Sequence, residues 1–190
     1  MMELRYETPR AWVDCVLADF DAFLVDHAAC ERKAAATGLN FVVRYPDRVA
    51  MVGPMILFAR EELAHFQQVW TWLKKRGLQL GADTKDPYVR ALMGKVRSKG
   101  DERLLDRLLM AAVIEARGHE RFSRVAEALP VGPLQVFYAS IAESEGRHRA
   151  FFVEMAGLYF SPSVIEARLS QFLDHEAEAI SSQPLTPALH

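Results

Sequence analysis

At 190 residues, 51% apolar and 25% charged, the chain can bury one proper core but not two comfortable ones, so a single domain over 1–190 is expected, with flexible termini at about 1–10 and 181–190. Apolar runs are broken by charge well short of the roughly 18 residues a membrane span needs, and MMELRYETPRAWVDC has neither a basic leader nor an apolar signal core, so a cytoplasmic protein is expected, with no membrane partner. Cys15 and Cys30 are the two cysteines and form no CxxC, which excludes a disulfide framework, a zinc ribbon, a rubredoxin-type iron site and a redox pair.

Between Ala11 and Thr37, Val16, Phe20, Phe23, Leu24, Ala28 and Ala34 recur at helical spacing, with His27 and Glu31 on the same stripe. Gly38 and Asn40 are expected to close this first main helix. The stripe turns Glu31 inward, a costly place for a carboxylate unless a cation meets it. His27, one turn earlier, is read as a packed histidine or one that orients a ligand. Tyr45 and Pro46 precede a turn of helix, Gly53 and Pro54 kink or restart it, and the second main helix runs to about Arg76, ended by Gly77. Met55, Phe58, Glu62, His65, Val69 and Trp72 follow one another by three or four along it, so Glu62 and His65 lie on its apolar stripe.

From Leu78 to Gly100 the pattern breaks up. Gly81, Asp83, Thr84, Asp86 and Pro87 mark a loop, and Tyr88–Arg97 has the spacing of a short amphipathic helix. A third main helix starts near Asp101 and carries Leu104, Leu105, Leu108, Ala111, Ala112, Glu115, Gly118, His119 and Phe122 before Pro130. Pro133 begins the fourth, with Ile141, Glu145, His148 and Phe152 on one side and Tyr138 in the core. Ser161 and Pro162 have cap and first-turn chemistry for a fifth helix, and SSQPLTPALH reads as a frayed tail.

A carboxylate and an imidazole three residues apart share one face of a helix, the geometry of a metal-binding edge. Of the six His, two have a Glu three positions before them, His65 after Glu62 and His148 after Glu145. Each pair also has a single Glu at nearly the same distance upstream, 31 residues from Glu31 to Glu62 and 30 from Glu115 to Glu145. Four helices thus place an acid inward, and two add a histidine. This is the ligand set of a ferritin-like dinuclear carboxylate site in an all-α, ferritin-like four-helix bundle, with a fifth C-terminal helix and a long loop with a short helix between helices 2 and 3. Four carboxylates offset two divalent ions, and neutral imidazoles leave positions open for oxygen. His119 lies one turn after Glu115, but the repeat does not call for it as a ligand. The alternative, acids that merely face solvent, requires helical phases wrong by a residue or two.

The net charge of −2 conceals an asymmetry, because the segment from Lys74 to Arg107 carries +5 and the remainder −7. Lys74, Lys75, Arg76, Lys85, Arg90, Lys95, Arg97 and Lys99 are candidates for a polyanion-facing surface. A solvated connection whose Lys74, Lys75 and Arg76 complement a helix C-terminus is the plainer reading.

Spacing does not choose among users of such a site. The segments DHAACERKAAATGL around Glu31, REELAHFQQVW around Glu62, EARGHERF around Glu115 and ESEGRHRAFF around Glu145 together resemble the tRNA hydroxylase family that acts on 2-methylthio-isopentenyl-adenosine next to the anticodon. The resemblance extends over about residues 10 to 180. It implies Glu31, Glu62, His65, Glu115, Glu145 and His148 as ligands of two non-haem iron ions, with O2 as cosubstrate and electrons from a separate reductase or ferredoxin. It also implies hydroxylation of an allylic methyl on the isopentenyl group, and a monomer or small homo-oligomer. Ala111, Ala112 and Gly118 would leave room for the prenyl tail, Phe20, Phe23 or Phe122 could line its path, and the basic segment would hold tRNA phosphates. The rivals are a demethoxyubiquinone-type hydroxylase, which should show an exposed apolar helical surface for the bilayer, and a ferritin-like iron-binding protein.

Overall fold

A computed structural model describes residues 2–82 and 85–190, so Asp83 and Thr84 of the expected loop lie outside the described residues. Among these there are seven α-helices and no strand: α1 (Arg10–Ala18), α2 (Phe20–Arg44), α3 (Val49–Lys75), α4 (Pro87–Met93), α5 (Gly100–Ala128), α6 (Pro133–Gly157) and α7 (Pro162–Ser181). The chain divides into two compact units. No helix among the described residues is long and apolar enough to cross a membrane.

The unit of residues 14–84 and 186–189 is built on the hairpin of α2 and α3. The first main helix read from the sequence is two helices, because Asp19 interrupts it and caps α2, its Oδ1 accepting from the Ala22 N–H at 3.1 Å. Nor does α2 stop at Gly38. A Cβ there would stand 2.9 Å from Phe58 Cδ1, 3.0 Å from Ala59 Cβ and 3.1 Å from the Met55 carbonyl, so this glycine lets two helices approach closely and does not break either. Gly38 faces Phe58 while Glu31 approaches His65, which makes the hairpin antiparallel. α3 runs unbroken past Pro54. It ends as the sequence suggests: Gly77, at φ 71°, donates to Lys74 O and Leu78 donates to Leu73 O. The buried stripe of α3 is Met51, Met55, Phe58, Ala59, Glu62, His65, Val69 and Leu73, so the acid and the imidazole sit within the apolar surface.

The second unit, residues 1–13, 85–185 and 190, holds α4 to α7. Asp86 caps α4 by accepting from the N–H groups of Tyr88 and Val89. Pro87, Pro133 and Pro162 each occupy a helix's first turn, where the missing N–H costs nothing. α5 is buried on nearly every side from Leu104 to Ala126. α6 runs antiparallel to it, His119 meeting Ala142 and Glu115 approaching His148. α7 runs parallel to α5, with Arg168 on Asp106 and Glu176 on Arg117.

Residues near both ends make side-chain and backbone contacts. Thr8 is buried and bonds Glu120 through both its backbone N–H and its hydroxyl. At the other end Leu189 is buried with its N–H on Asp26, and His190 stacks on Tyr88 at 4.7 Å and donates to Asp86.

Candidate metal centre

Each unit carries one acid–imidazole triad. In the first, α2 supplies Glu31 and α3 supplies Glu62 and His65, all buried, at 3%, 1% and 6% exposure. His65 Nδ1 stands 3.6 Å from Glu31 Oε2 and 3.5 Å from Glu62 Oε2. In the second, α5 supplies Glu115 and α6 supplies Glu145 and His148, again buried. His148 Nδ1 is 3.9 Å from Glu115 Oε2 and 4.0 Å from Glu145 Oε1. Within each triad the donor atoms lie within 4.8 Å of one another.

The separations in the first triad are close to those of donors that share a cation, and those in the second are about 0.4 Å wider. They exceed hydrogen-bond length, whereas two donors about 2.1 Å from one ion and near 90–110° apart around it are roughly 3–3.5 Å from each other. Both triads present Nδ1, and both mix carboxylate oxygen with imidazole nitrogen, a set that takes first-row divalent ions. Two carboxylates against one imidazole leave each triad negative in an apolar surround, which a divalent ion offsets.

The charges also act on one another. Burial pushes the Glu31 carboxyl up, but His27 and His65 outweigh it and hold the group well below the usual carboxylate range. Burial likewise pulls the His65 imidazole down, and its interactions with Glu31 and Glu62 overcome that and raise it to about 10. His27, fully buried, bonds Glu31 Oε1 at 2.6 Å. His119 is turned away to the Ala142 carbonyl at 2.6 Å. Gly118 lies against Glu145, where a Cβ would come within 3.3 Å of Oε2. The signal for that contact was a glycine one turn after a ligand glutamate.

The basic candidates fall in both units. Lys74 and Lys75 are exposed at the end of α3, Lys75 lying over the Trp72 ring at 4.6 Å, and Arg76 is bonded to Asp21. Lys85, Arg90, Lys95 and Lys99 are exposed. Arg97 is held by both oxygens of Asp106 at 2.8–2.9 Å and by Glu102 at 2.7 Å.

The helical topology and these triads define a class, the ferritin-like carboxylate proteins with a buried metal-binding donor set. Within that class the family is shown by comparison. A model of the family described as tRNA-(MS[2]IO[6]A)-hydroxylase (MiaE) matches residues 1–190, and the chain belongs to that family. It is similar to the tRNA 2-(methylsulfanyl)-N(6)-isopentenyladenosine(37) hydroxylase of Pseudomonas putida, 35% identical over 175 residues that cover 92% of this chain and 85% of the relative. The protein of the same name from Salmonella typhimurium is 30% identical, covering 94% of this chain and 84% of its own. Among solved structures, a Synechococcus protein with aldehyde deformylating oxygenase activity superposes with a TM-score of 0.93 at 32% identity, over 98% of this chain and 93% of that one.

Proposed function

We propose that this protein hydroxylates the isopentenyl group of 2-methylthio-N6-isopentenyladenosine next to the anticodon of tRNA, at two iron ions held by Glu31, Glu62, His65, Glu115, Glu145 and His148, the two units working as one domain in the cytoplasm. The observation that carries it is the pair of buried acid–imidazole triads in a chain whose named relatives are tRNA hydroxylases. When bound, the ions would supply what no side chain can, activation of O2 for insertion into an allylic C–H bond. One oxygen atom goes to the carbon and the other leaves as water, with two electrons and two protons drawn from outside. With no redox cysteine pair in the chain, the electrons come from a separate reductase or ferredoxin.

The protein's own groups hold, shield and admit. The carboxylates neutralise the ions and the imidazoles leave open positions, while Phe23, Phe58, Phe122 and Phe152, all buried, keep the surroundings dry. Ala111 and Ala112, small and buried on α5 a turn before Glu115, are the positions at which a prenyl tail would meet least bulk, whereas the place beside Gly118 is taken by Glu145. Lys74, Lys75, Lys85, Arg90, Lys95 and Lys99 present exposed cations for phosphates, in a salt-dependent way.

A single-turnover assay tests the proposal. Protein loaded with ferrous iron is mixed with tRNA bearing the prenylated adenosine, reduced, exposed to O2, and the tRNA is digested for mass spectrometry of its nucleosides. The expected result is an iron-dependent gain of one oxygen atom on the prenylated nucleoside. No gain with two irons bound would discard the substrate. The Synechococcus relative's activity supplies the control, an aldehyde in place of the tRNA.

A further inference from the structure

The end of α3 sets three cations against three aromatic rings. Lys74 Nζ lies over the Trp70 ring at 5.9 Å, Lys75 Nζ over the Trp72 ring at 4.6 Å, and the Arg76 guanidinium over the Phe20 ring at 6.0 Å. The cations are exposed and the rings partly exposed. The acids at the start of α2 are already engaged: Asp19 caps the helix, and Asp21 Oδ1 accepts from Arg76 Nε at 2.5 Å. Arg76 thereby ties the end of α3 to the start of α2. Lys74 and Lys75 have no carboxylate partner among the described residues. Trp72 also follows His65 by seven residues, two turns of one helix, so both side chains leave the same face of α3, about 10 Å apart along its axis. Trp70 leaves the opposite side. His65 is buried and Trp72 is not, so the face that carries a proposed ligand inside the protein reaches solvent at Trp72.

We infer that the Trp72 ring, with Lys75 beside it, is a stacking platform for an unstacked base of the single-stranded anticodon loop, holding that loop on the side of α3 that carries His65. The inference rests on the tRNA reading above. Bases in an RNA loop, unlike those inside a duplex, present π-faces that stack on an indole whatever their identity, and the adjoining phosphate takes an ammonium. An ammonium already drawn over the ring by its quadrupole is in place for that phosphate. Lysines alone would hold duplex and loop alike through their phosphates. The indole is what makes this end of α3 selective for a single strand.

The test is anaerobic filter binding of the iron-loaded protein, across salt concentrations, to two RNAs with equal numbers of phosphates: an anticodon stem-loop bearing the prenylated adenosine, and a blunt duplex. The wild type binds the stem-loop more tightly. Trp72→Ala weakens stem-loop binding by about 5- to 100-fold with an unchanged salt slope, and duplex binding by less than about twofold. Trp72→Phe, which keeps a ring, stays within about fivefold of wild type. Lys75→Gln lowers the salt slope for the stem-loop by about 1. Trp72→Leu carries the same expectation as Trp72→Ala should the latter not fold, with far-ultraviolet circular dichroism as the check, and each variant keeps the iron content of the wild type. Unchanged stem-loop binding in Trp72→Ala, an equal loss for the duplex, a Trp72→Phe no better than Trp72→Ala, or a loss of iron with the change overturns the inference while leaving the tRNA reading in place. A wild-type protein that binds neither RNA overturns the tRNA reading and this inference with it.

Discussion

Around Glu115 and around Arg117, two residues apart on α5, the protein buries charge in opposite ways. Arg117 is fully buried, yet its guanidinium is bonded throughout, by Glu176 at 2.7 and 3.0 Å, Glu120 at 2.9 Å, Thr8 at 3.1 Å and the Tyr6 carbonyl at 2.8 Å. Burial opposes the charge of this guanidinium and the acids more than restore it. Glu115 and Glu145 stand 3.9 and 4.0 Å from the His148 imidazole. The difference separates structure from function: a buried charge cluster closed by its own protein holds the fold, and one left with surplus carboxylate is built for a cation that arrives later.

The largest effect is expected at the closed cluster. Arg117→Met strands Glu176 and should cost about 3–5 kcal/mol in denaturant unfolding, and adding Glu176→Leu should recover most of it. Failure of the second change to recover stability would mean that the pair is not the unit acting here. At the open cluster the sign differs. Glu115→Ala or His148→Ala should leave the metal-free protein within about 1 kcal/mol of wild type, or stabilise it in the case of Glu115→Ala. Either change should remove bound metal and the stabilisation that metal confers. Unfolding curves with and without chelator check both statements.

Helix positions were legible because the buried stripe repeats every three or four residues, and all six proposed ligands fall on it. Helix ends were less so. Gly38 has the chemistry of a stop, and only the approach of Phe58 shows that it is a contact point. Asp19 capped a helix inside an apolar rhythm that continued past it. The Arg117–Glu176 pair joins residues 59 apart, and no local pattern announces it. Arg97 read as a candidate for the polyanion-facing surface because its partner Asp106, nine residues on, lies in α5 while Arg97 lies in the link between α4 and α5.

That Asp106 cluster is a second closed case and predicts a pH effect. Burial raises the Asp106 carboxyl, but Arg168 and Arg97 together outweigh it and lower it from 3.8 to about 2. A folded value below the unfolded one stabilises the protein above pH 4, and that contribution of about 2 kcal/mol is lost as pH falls from about 4 towards 2. Asp106→Asn should flatten this part of the stability–pH curve. The smallest effect on the fold is expected at exposed, solvated charge. Lys74→Glu with Lys75→Glu should change stability by no more than about 0.5 kcal/mol. If these lysines contact phosphate, the same pair should weaken tRNA binding and reduce its salt slope by about 1–2. Filter binding across salt concentrations reads this, and an unchanged slope removes them from the interface.

The central claim is that the open clusters are metal sites, and equilibrium dialysis against ferrous iron under anaerobic conditions tests it most directly. The account predicts two irons per chain for the wild type and fewer for Glu115→Ala and for Glu62→Ala, each variant retaining its helical signal. A wild-type chain that binds no iron, or variants that still bind two, would contradict it.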